Sequence, residues 1–508
     1  MTEPIELTVN GAPVTVPPEG SLLDALREEL HLHGPKDGCS PQGQCGCCTV
    51  WVDGQPRVAC VTPVSRMRGR SVTTIEALPD ADGWARTFTR HGASQCGFCT
   101  PGIIMRAASL PDAKRSSRSA VCQALLAHQC RCTGWQSVVD AVLDGPGGSA
   151  ELDDVTAAEQ RAMLEGGVAQ DVGPAVALGE GGFADDTAPD GAWVAVLSAD
   201  GDWVVGASLG EARRRSGKVQ GRRTTAPLSW PIDVPPGDWV RRLQTTWVEP
   251  GYLEPDASWC EPGGRPVSSH GNGGAFGGKQ SGELGAVARR LADEHGRPVR
   301  VLLTREDVVR SGPKRPPIAA GLRADGSGTM HVARTPGVVE AVRSVAPQLE
   351  VVEVDVVGPA TSSSIRGAGW VEAAVLLASL DDDLEHRVVS PSGGIATATI
   401  EDDGTIRVGI DAGRPLDARV LRSYCVGAAH MALGWVTSEG LSVGDDGVPH
   451  DLTMRSFGVL RATDMPTVRV EIVESDRPAV NGSDAVFAAV AAAAWRRTGW
   501  APRWPTST

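Results

Sequence analysis

Ten of the twelve cysteines lie before residue 133. Eight of these fall into two groups of four: Cys39, Cys45, Cys48 and Cys60, then Cys96, Cys99, Cys130 and Cys132. Four thiols gathered in one fold are bridged, bound to metal or unliganded core thiols, and their spacing limits the architecture more than any apolar periodicity does. The chain opens Met1-Thr2-Glu3-Pro4-Ile5-Glu6, acidic and strand-like. It lacks the basic and then apolar stretches of a secretory leader, and it lacks a twin-arginine signal. A cytoplasmic location is therefore expected, where clustered thiols read as metal ligands rather than disulfides.

The first group is spaced C-x5-C-x2-C-x11-C. A two-iron cluster needs four thiolates, two per iron, with N–H donors near its sulfides. Plant-type ferredoxins use C-x4-C-x2-C and a distant fourth cysteine. The extra residue here falls in 38-GCSPQGQCGCC-48, a loop whose glycines can absorb it and bring N–H groups close. Structural zinc usually shows two C-x2-C knuckles, and this segment has one. Cys47 occupies the x position of Cys45-Gly46-Cys47-Cys48 and reads as a non-ligand.

The surrounding segments alternate like strands. Residues 5-IELTVNG-11 and 14-VTV-16 form a hairpin turning at Asn10-Gly11. A helix follows from the N-cap Ser21, with Asp24 three residues on, an apolar face of Leu22, Leu23, Leu26 and Leu30, and Gly34 as its end. A second hairpin over 49–61 turns at Asp53-Gly54, and a last strand covers 71–78. These elements predict a small mixed sheet over one helix.

Residues 79–150 read as short helices over 84–92, 101–110, 120–128 and 136–144, with Pro101 suited to a first helical position. The second cysteine group falls at helix ends, in 95-QCGFCTPG-102 and 129-QCRCTGW-135. Free N–H groups and the positive end of the helix dipole favour an anionic cluster there. The pattern C-G-x-C-T-P-G, followed about thirty residues later by C-R-C-T-G-W, resembles the iron–sulfur subunit of the molybdenum hydroxylases. This is the family of xanthine dehydrogenase, aldehyde oxidase and aerobic carbon monoxide dehydrogenase. The resemblance spans residues 1–145. It implies a β-grasp, ferredoxin-like 2Fe–2S domain over 1–77 and a four-helix 2Fe–2S domain over 78–147. It also implies that the helical cluster lies nearer a molybdenum pterin, that the ferredoxin-like cluster passes electrons on, usually to FAD, and that Gln95 matches a glutamine touching the pterin. Cys122, Cys260 and Cys425 have no partner spacing, and Cys122 sits in an apolar helix as a small buried residue would.

Residues 148–170 read as a linker, and 171–508 as a mixed α/β domain, which makes the chain α+β as a whole. Strand pairs are expected over 193–209 and 396–410, and helices over 283–296 and 485–499. Several pieces resemble, in order, the molybdenum-binding large subunit of the same family: 252-YLEP-255, 273-GGAFGGK-279 with the helix and strand after it, 365-IRGAG-369, residues 413–440 and residues 461–475. Gly273, Gly274 and Gly277, with Phe276 between them, are candidates for approach to a pterin pyrophosphate, the other reading being a tight turn before a helix. The departures weigh more. Only Asp256 to Asn272 separate the Glu254-Pro255 motif from the glycine loop, and the region from Gly369 to Ser390 is collapsed. The family's catalytic G-x-G-E is replaced by 481-NGSDA-485. That leaves Asp484, one methylene shorter, as the candidate base, and a base must reach its proton. Arg366 is either substrate-facing or structural.

The net charge of −14 argues against a nucleic-acid partner, and no run of 18 apolar residues predicts a membrane span. No G-x-G-x-x-G loop in a strand–helix setting marks a flavin domain. The expectation is an electron-transfer subunit with two 2Fe–2S clusters. Its molybdopterin-type cofactor and its FAD would belong to partner subunits, and residues 171–508 would be a reduced molybdopterin-binding-like domain used for docking or dimerisation. The alternative is a self-contained, compact molybdenum hydroxylase with its cofactor in residues 170–508. An iron–sulfur assembly scaffold is a third reading, disfavoured by two clusters in series.

Overall fold

A computed structural model of the chain describes residues 3–147, 154–217, 226–279, 281–381 and 386–506. Strands β1 (Ile5–Val9) and β2 (Ala12–Val16) pair antiparallel around Asn10 and Gly11, both at positive φ, which asparagine and glycine tolerate. Strands β3 (Thr49–Val52) and β4 (Gln55–Val58) form the second hairpin, and β5 (Ser71–Thr73) runs parallel to β1. The sheet order is β2-β1-β5-β3-β4, a β-grasp arrangement.

Helix α1 (Leu22–Asp24) starts in a capping box. The Asp24 N–H donates to Ser21 Oγ at 3.1 Å, and the Ser21 N–H donates to the Asp24 carboxylate at 2.9 Å. It continues as a π-helical turn, Ala25–Glu29, and places Leu22, Leu23 and Leu26 in the core. It stops short of Gly34. His31 takes φ 50°, and the Leu32 N–H closes on the Leu26 carbonyl at 2.9 Å, so a left-handed histidine does the work expected of the glycine. Gly34 serves close packing instead, because a side chain there would collide with Ile75.

The helical part contains α2 (Ala81–Arg90), α3 (Thr100–Ala108), the short α4 (Asp112–Arg115), α5 (Arg118–Ala124) and α6 (Gln136–Asp144). Trp84, Phe88, Ile103, Ile104, Val138 and Val142 form one apolar core with the β-grasp residues. The Trp51 indole N–H donates to the Met105 carbonyl at 2.8 Å across that seam.

The expected linker needs correction. Residues 148–153 lie outside the described residues, but α7 (Val155–Gly166) is a helix capped by Asp154 and packed into the body of the chain. Arg161 on α7 is wholly buried. It donates to the carbonyls of Pro415 and Val480, each at 2.8 Å, and pairs with Glu165 at 3.0 Å. The Glu165 carboxylate accepts from the N–H of Ser483 at 2.8 Å and of Gly482 at 3.1 Å, which caps the start of the helix Ser483–Arg497. Polar composition near residue 150 hid this, since a buried arginine in an otherwise hydrophilic stretch leaves no periodic signal.

The remainder builds three further sheets. One carries Trp193–Leu197, Trp203–Gly206, Ala257–Cys260, Val267–Ser268 and Val299–Leu302, under the helix Ser281–His295. A second joins Arg241–Thr245, Ile318–Leu322, Gly328–Ala333, Leu349–Val354 and Arg503–Trp504. A third, of His386–Val389, Ile395–Ile400, Ile406–Asp411 and Val468–Ile472, packs on the helices Ala418–Thr437 and Ser483–Arg497. Alanines from 485 to 494 are buried throughout the last helix, and their small side chains let it approach its neighbours closely. No described helix is long and apolar enough to cross a membrane.

Candidate functional site: two buried thiol groups and the cleft beside them

The structure brings the eight predicted cysteines together as two groups, all buried. In the first, the Cys39 sulfur accepts from the N–H of Gln42 at 3.2 Å and of Gln44 at 3.4 Å, and Cys48 accepts from the N–H of Cys60 at 3.4 Å. In the second, Cys99 is the N-cap residue of α3, Cys130 meets the Thr133 hydroxyl at 3.1 Å, and the sulfurs of Cys96 and Cys132 lie 3.5 Å apart. Among the described residues no three His, Cys, Asp or Glu side chains converge as a single metal ion would need. A two-iron group, with two thiolates on each iron, spreads its ligands more widely.

Electrostatics distinguishes the thiols. Hydrogen bonds from Cys45 and Cys60 hold Cys39 well below the ordinary thiol range, and those from Cys132 and Cys99 do the same for Cys130. Their donors are pushed up by giving those bonds and by burial. Holding four buried thiolates together in either group requires a cationic partner. The residues present fit a 2Fe–2S cluster in each group.

The two groups meet through backbone. The Gln129 N–H, one residue before Cys130, donates to the Cys45 carbonyl at 3.0 Å. A side chain at Gly102 would collide with the Gly46 carbonyl and come within 2.8 Å of the Cys47 carbonyl. Cys47 itself is buried against Cys45, with its thiol pushed up chiefly by burial.

Later parts of the chain cover both groups. Glycines 97, 134 and 181 allow the backbones around Val176, Val426 and Cys96 to touch, and a side chain at Gly274 would come within 3.1 Å of the Cys132 sulfur. Arg305, fully buried, donates to the Gly38 carbonyl at 2.9 Å, next to Cys39. On the other side Gln42 donates to the Leu452 carbonyl at 2.8 Å.

The predicted pterin contacts close on protein atoms. Gly273 sits against Glu254, which pairs with Lys279 at 2.6 Å, and a side chain at Gly277 would collide with the Ser364 carbonyl. Phe276, at φ 44°, lies edge-on to Tyr424 and under the Arg366 guanidinium. Arg366 pairs with Asp484 at 2.8 Å and reaches Ser483, so the candidate base is held in an ion pair. Gln95 donates to the Cys132 carbonyl and to Ser423 Oγ, each at 3.0 Å. Its buried carbonyl oxygen finds no protein donor among the described residues and borders a cavity of about 20 Å³ shared with Gln170 and Tyr424. A second cavity of about 20 Å³ lies between the glycine loop, Arg366 and Phe487. Small-molecule and cofactor pockets have volumes of roughly 300–1,000 Å³. The orphaned Gln95 oxygen suits one donor, but the described residues at this place do not fit a pterin.

Sequence reading missed the buried ion pairs that fill the cleft. Arg131, between Cys130 and Cys132, grips Glu439 through two bonds of 2.6 and 2.8 Å. Lys314 pairs with Glu249 at 2.9 Å, and Arg315 grips Glu372 at 2.9 and 3.0 Å. Nothing in the local sequence marks these partners, which come from segments far apart in the chain.

Two paired groups of four buried thiols, on a β-grasp and on a helical domain, define a two-cluster iron–sulfur protein. Residues 2–74 match the 2Fe-2S iron-sulfur cluster binding domain, and residues 74–143 match the [2Fe-2S] binding domain. The nicotine 6-hydroxylase small subunit of Paenarthrobacter nicotinovorans is 43% identical over 148 residues, which are 28% of this chain and 89% of that protein. The xanthine dehydrogenase iron-sulfur-binding subunit of Escherichia coli O157:H7 is 37% identical over 151 residues, 28% of this chain and 92% of that protein. The chain belongs to the molybdenum hydroxylase family, through its iron–sulfur subunit. In fold, it matches the aldehyde oxidoreductase from Desulfovibrio gigas over 97% of each chain, with a TM-score of 0.68 and 16% identity.

Proposed function

We propose that this chain is an electron-transfer subunit of a molybdenum-hydroxylase-type complex. Cys39, Cys45, Cys48 and Cys60 hold one 2Fe–2S cluster, and Cys96, Cys99, Cys130 and Cys132 hold the other. When bound, each cluster accepts and releases a single electron. The chain's own residues bury the thiolates, exclude water and couple the groups through the Gln129 N–H and the Cys45 carbonyl. That hydrogen bond is the observation carrying the proposal, because it joins the backbones of the two groups directly. The molybdopterin-type cofactor and the FAD reside in partner subunits. Residues 171–508 serve as the docking or dimerisation scaffold, which agrees with a cleft occupied by ion pairs.

One observation favours the alternative of a self-contained molybdenum hydroxylase: the fold likeness to aldehyde oxidoreductase runs the length of the chain. Metal analysis decides between the two. The chain expressed alone in molybdenum-replete cells is expected to carry about four irons and no molybdenum. Stoichiometric molybdenum in the isolated chain overturns the relay reading.

A further inference from the structure

The Arg131–Glu439 pair stands out among the buried ions because Arg131 lies between Cys130 and Cys132 in the chain, and Gly274 packs against both the Cys132 sulfur and the Arg131 side-chain stem. The two side chains are 5% and 1% exposed. Arg131 also donates to the Pro250 carbonyl at 2.9 Å, which fixes the guanidinium plane. The carboxylate sits where any side chain at Gly434 would collide with it, so glycine there makes room for this one partner. The neighbouring cations Lys314, Arg315 and Arg366 are each matched by Glu249, Glu372 and Asp484. Loss of the Glu439 charge therefore leaves one uncompensated positive charge on the residue between Cys130 and Cys132.

We propose that Glu439, by pairing with Arg131, is a positioning residue that keeps the reduction potential of the group held by Cys96, Cys99, Cys130 and Cys132 low. Reduction adds one electron, and hence one negative charge, to an already anionic group. A bare guanidinium beside it favours the reduced form; a neutralised one does not. Effective dielectric constants near 20 leave such charges coupled across several ångströms inside a protein. A residue remote from all eight cysteines in sequence thereby sets the driving force between the two groups. The inference rests on the two-cluster reading.

The test is an EPR-monitored redox titration of the purified full chain, with iron counted in every sample. Glu439→Gln is expected to retain about four irons. The second cluster is expected to move positive by roughly tenfold in its reduction equilibrium, about 59 mV for one electron, while the first moves much less. Glu439→Asp, which keeps the charge on a shorter arm, shifts the same signal in the same direction by a smaller amount and carries the test should the glutamine variant not fold. The double variant Arg131→Gln with Glu439→Gln removes both charges and returns the potential toward that of the parent. Unmoved potentials, or equal shifts of both clusters, in samples with four irons overturn this inference alone. A parent protein with fewer than four irons overturns the two-cluster reading and this inference with it.

Discussion

Replacing Cys130 by serine is expected to halve the iron content, from four to two per chain, and to erase one of two EPR signals while the other persists. Cys130 accepts hydrogen bonds from Cys132 and Cys99, which hold its thiol below the ordinary range. A serine hydroxyl does not ionise in the same environment, so the second group loses one of the four thiolates that two irons need. Cys47→Ser provides the contrast. Cys47 is as buried as the proposed ligands and touches Cys45, yet its thiol is pushed up mainly by burial, and its place in the spacing reads as a non-ligand. That variant is expected to keep four irons and both signals. Retention of four irons by Cys130→Ser, or loss of two by Cys47→Ser, would redraw the ligand set.

Arg161→Ala is expected to destabilise the C-terminal part by about 3–5 kcal/mol, the usual effect of breaking a buried ion pair from one side. The change strands the carbonyls of Pro415 and Val480 and leaves the Glu165 carboxylate buried without its cation. Glu165 then caps the helix Ser483–Arg497 less well. Fluorescence should report this, because Trp435, Trp495, Trp500 and Trp504 pack edge-on to one another around that helix. The urea midpoint of the tryptophan signal is the measurement. Arg289→Ala, which removes an exposed i,i+4 pair with Asp293, is the control and should leave the midpoint in place. A midpoint equal to the parent's in Arg161→Ala would mean that α7 is the loose linker its composition suggests.

What the sequence disclosed followed the range of the interactions involved. The β-grasp hairpins were legible because Asn10-Gly11 and Asp53-Gly54 fix their turns locally. The helix after Ser21 was legible from its capping box, though not its end, where His31 took the left-handed position. Cysteine spacing was legible because ligands from one short loop must obey its geometry. The cleft was not. Arg131 and Glu439 are 308 residues apart, and Arg315 and Glu372 are 57 apart, so their pairing depends on tertiary placement alone. Asp484 looked like a shortened base because its neighbours in sequence suggested a catalytic loop. Its partner, Arg366, appears only when the chain is folded.

The coverings of the thiol groups also bear on the timing of assembly. Both cysteine groups are complete by residue 132, yet the backbones that close over them come from around residues 176, 274, 426 and 452. A ribosome therefore exposes all eight thiols long before it has made their lids. Iron delivered to the nascent chain meets an open nest. Iron delivered to a finished chain must wait for Val176, Gly274 and Val426 to lift. Access to the buried thiols thus depends on local opening of segments made later than the thiols themselves.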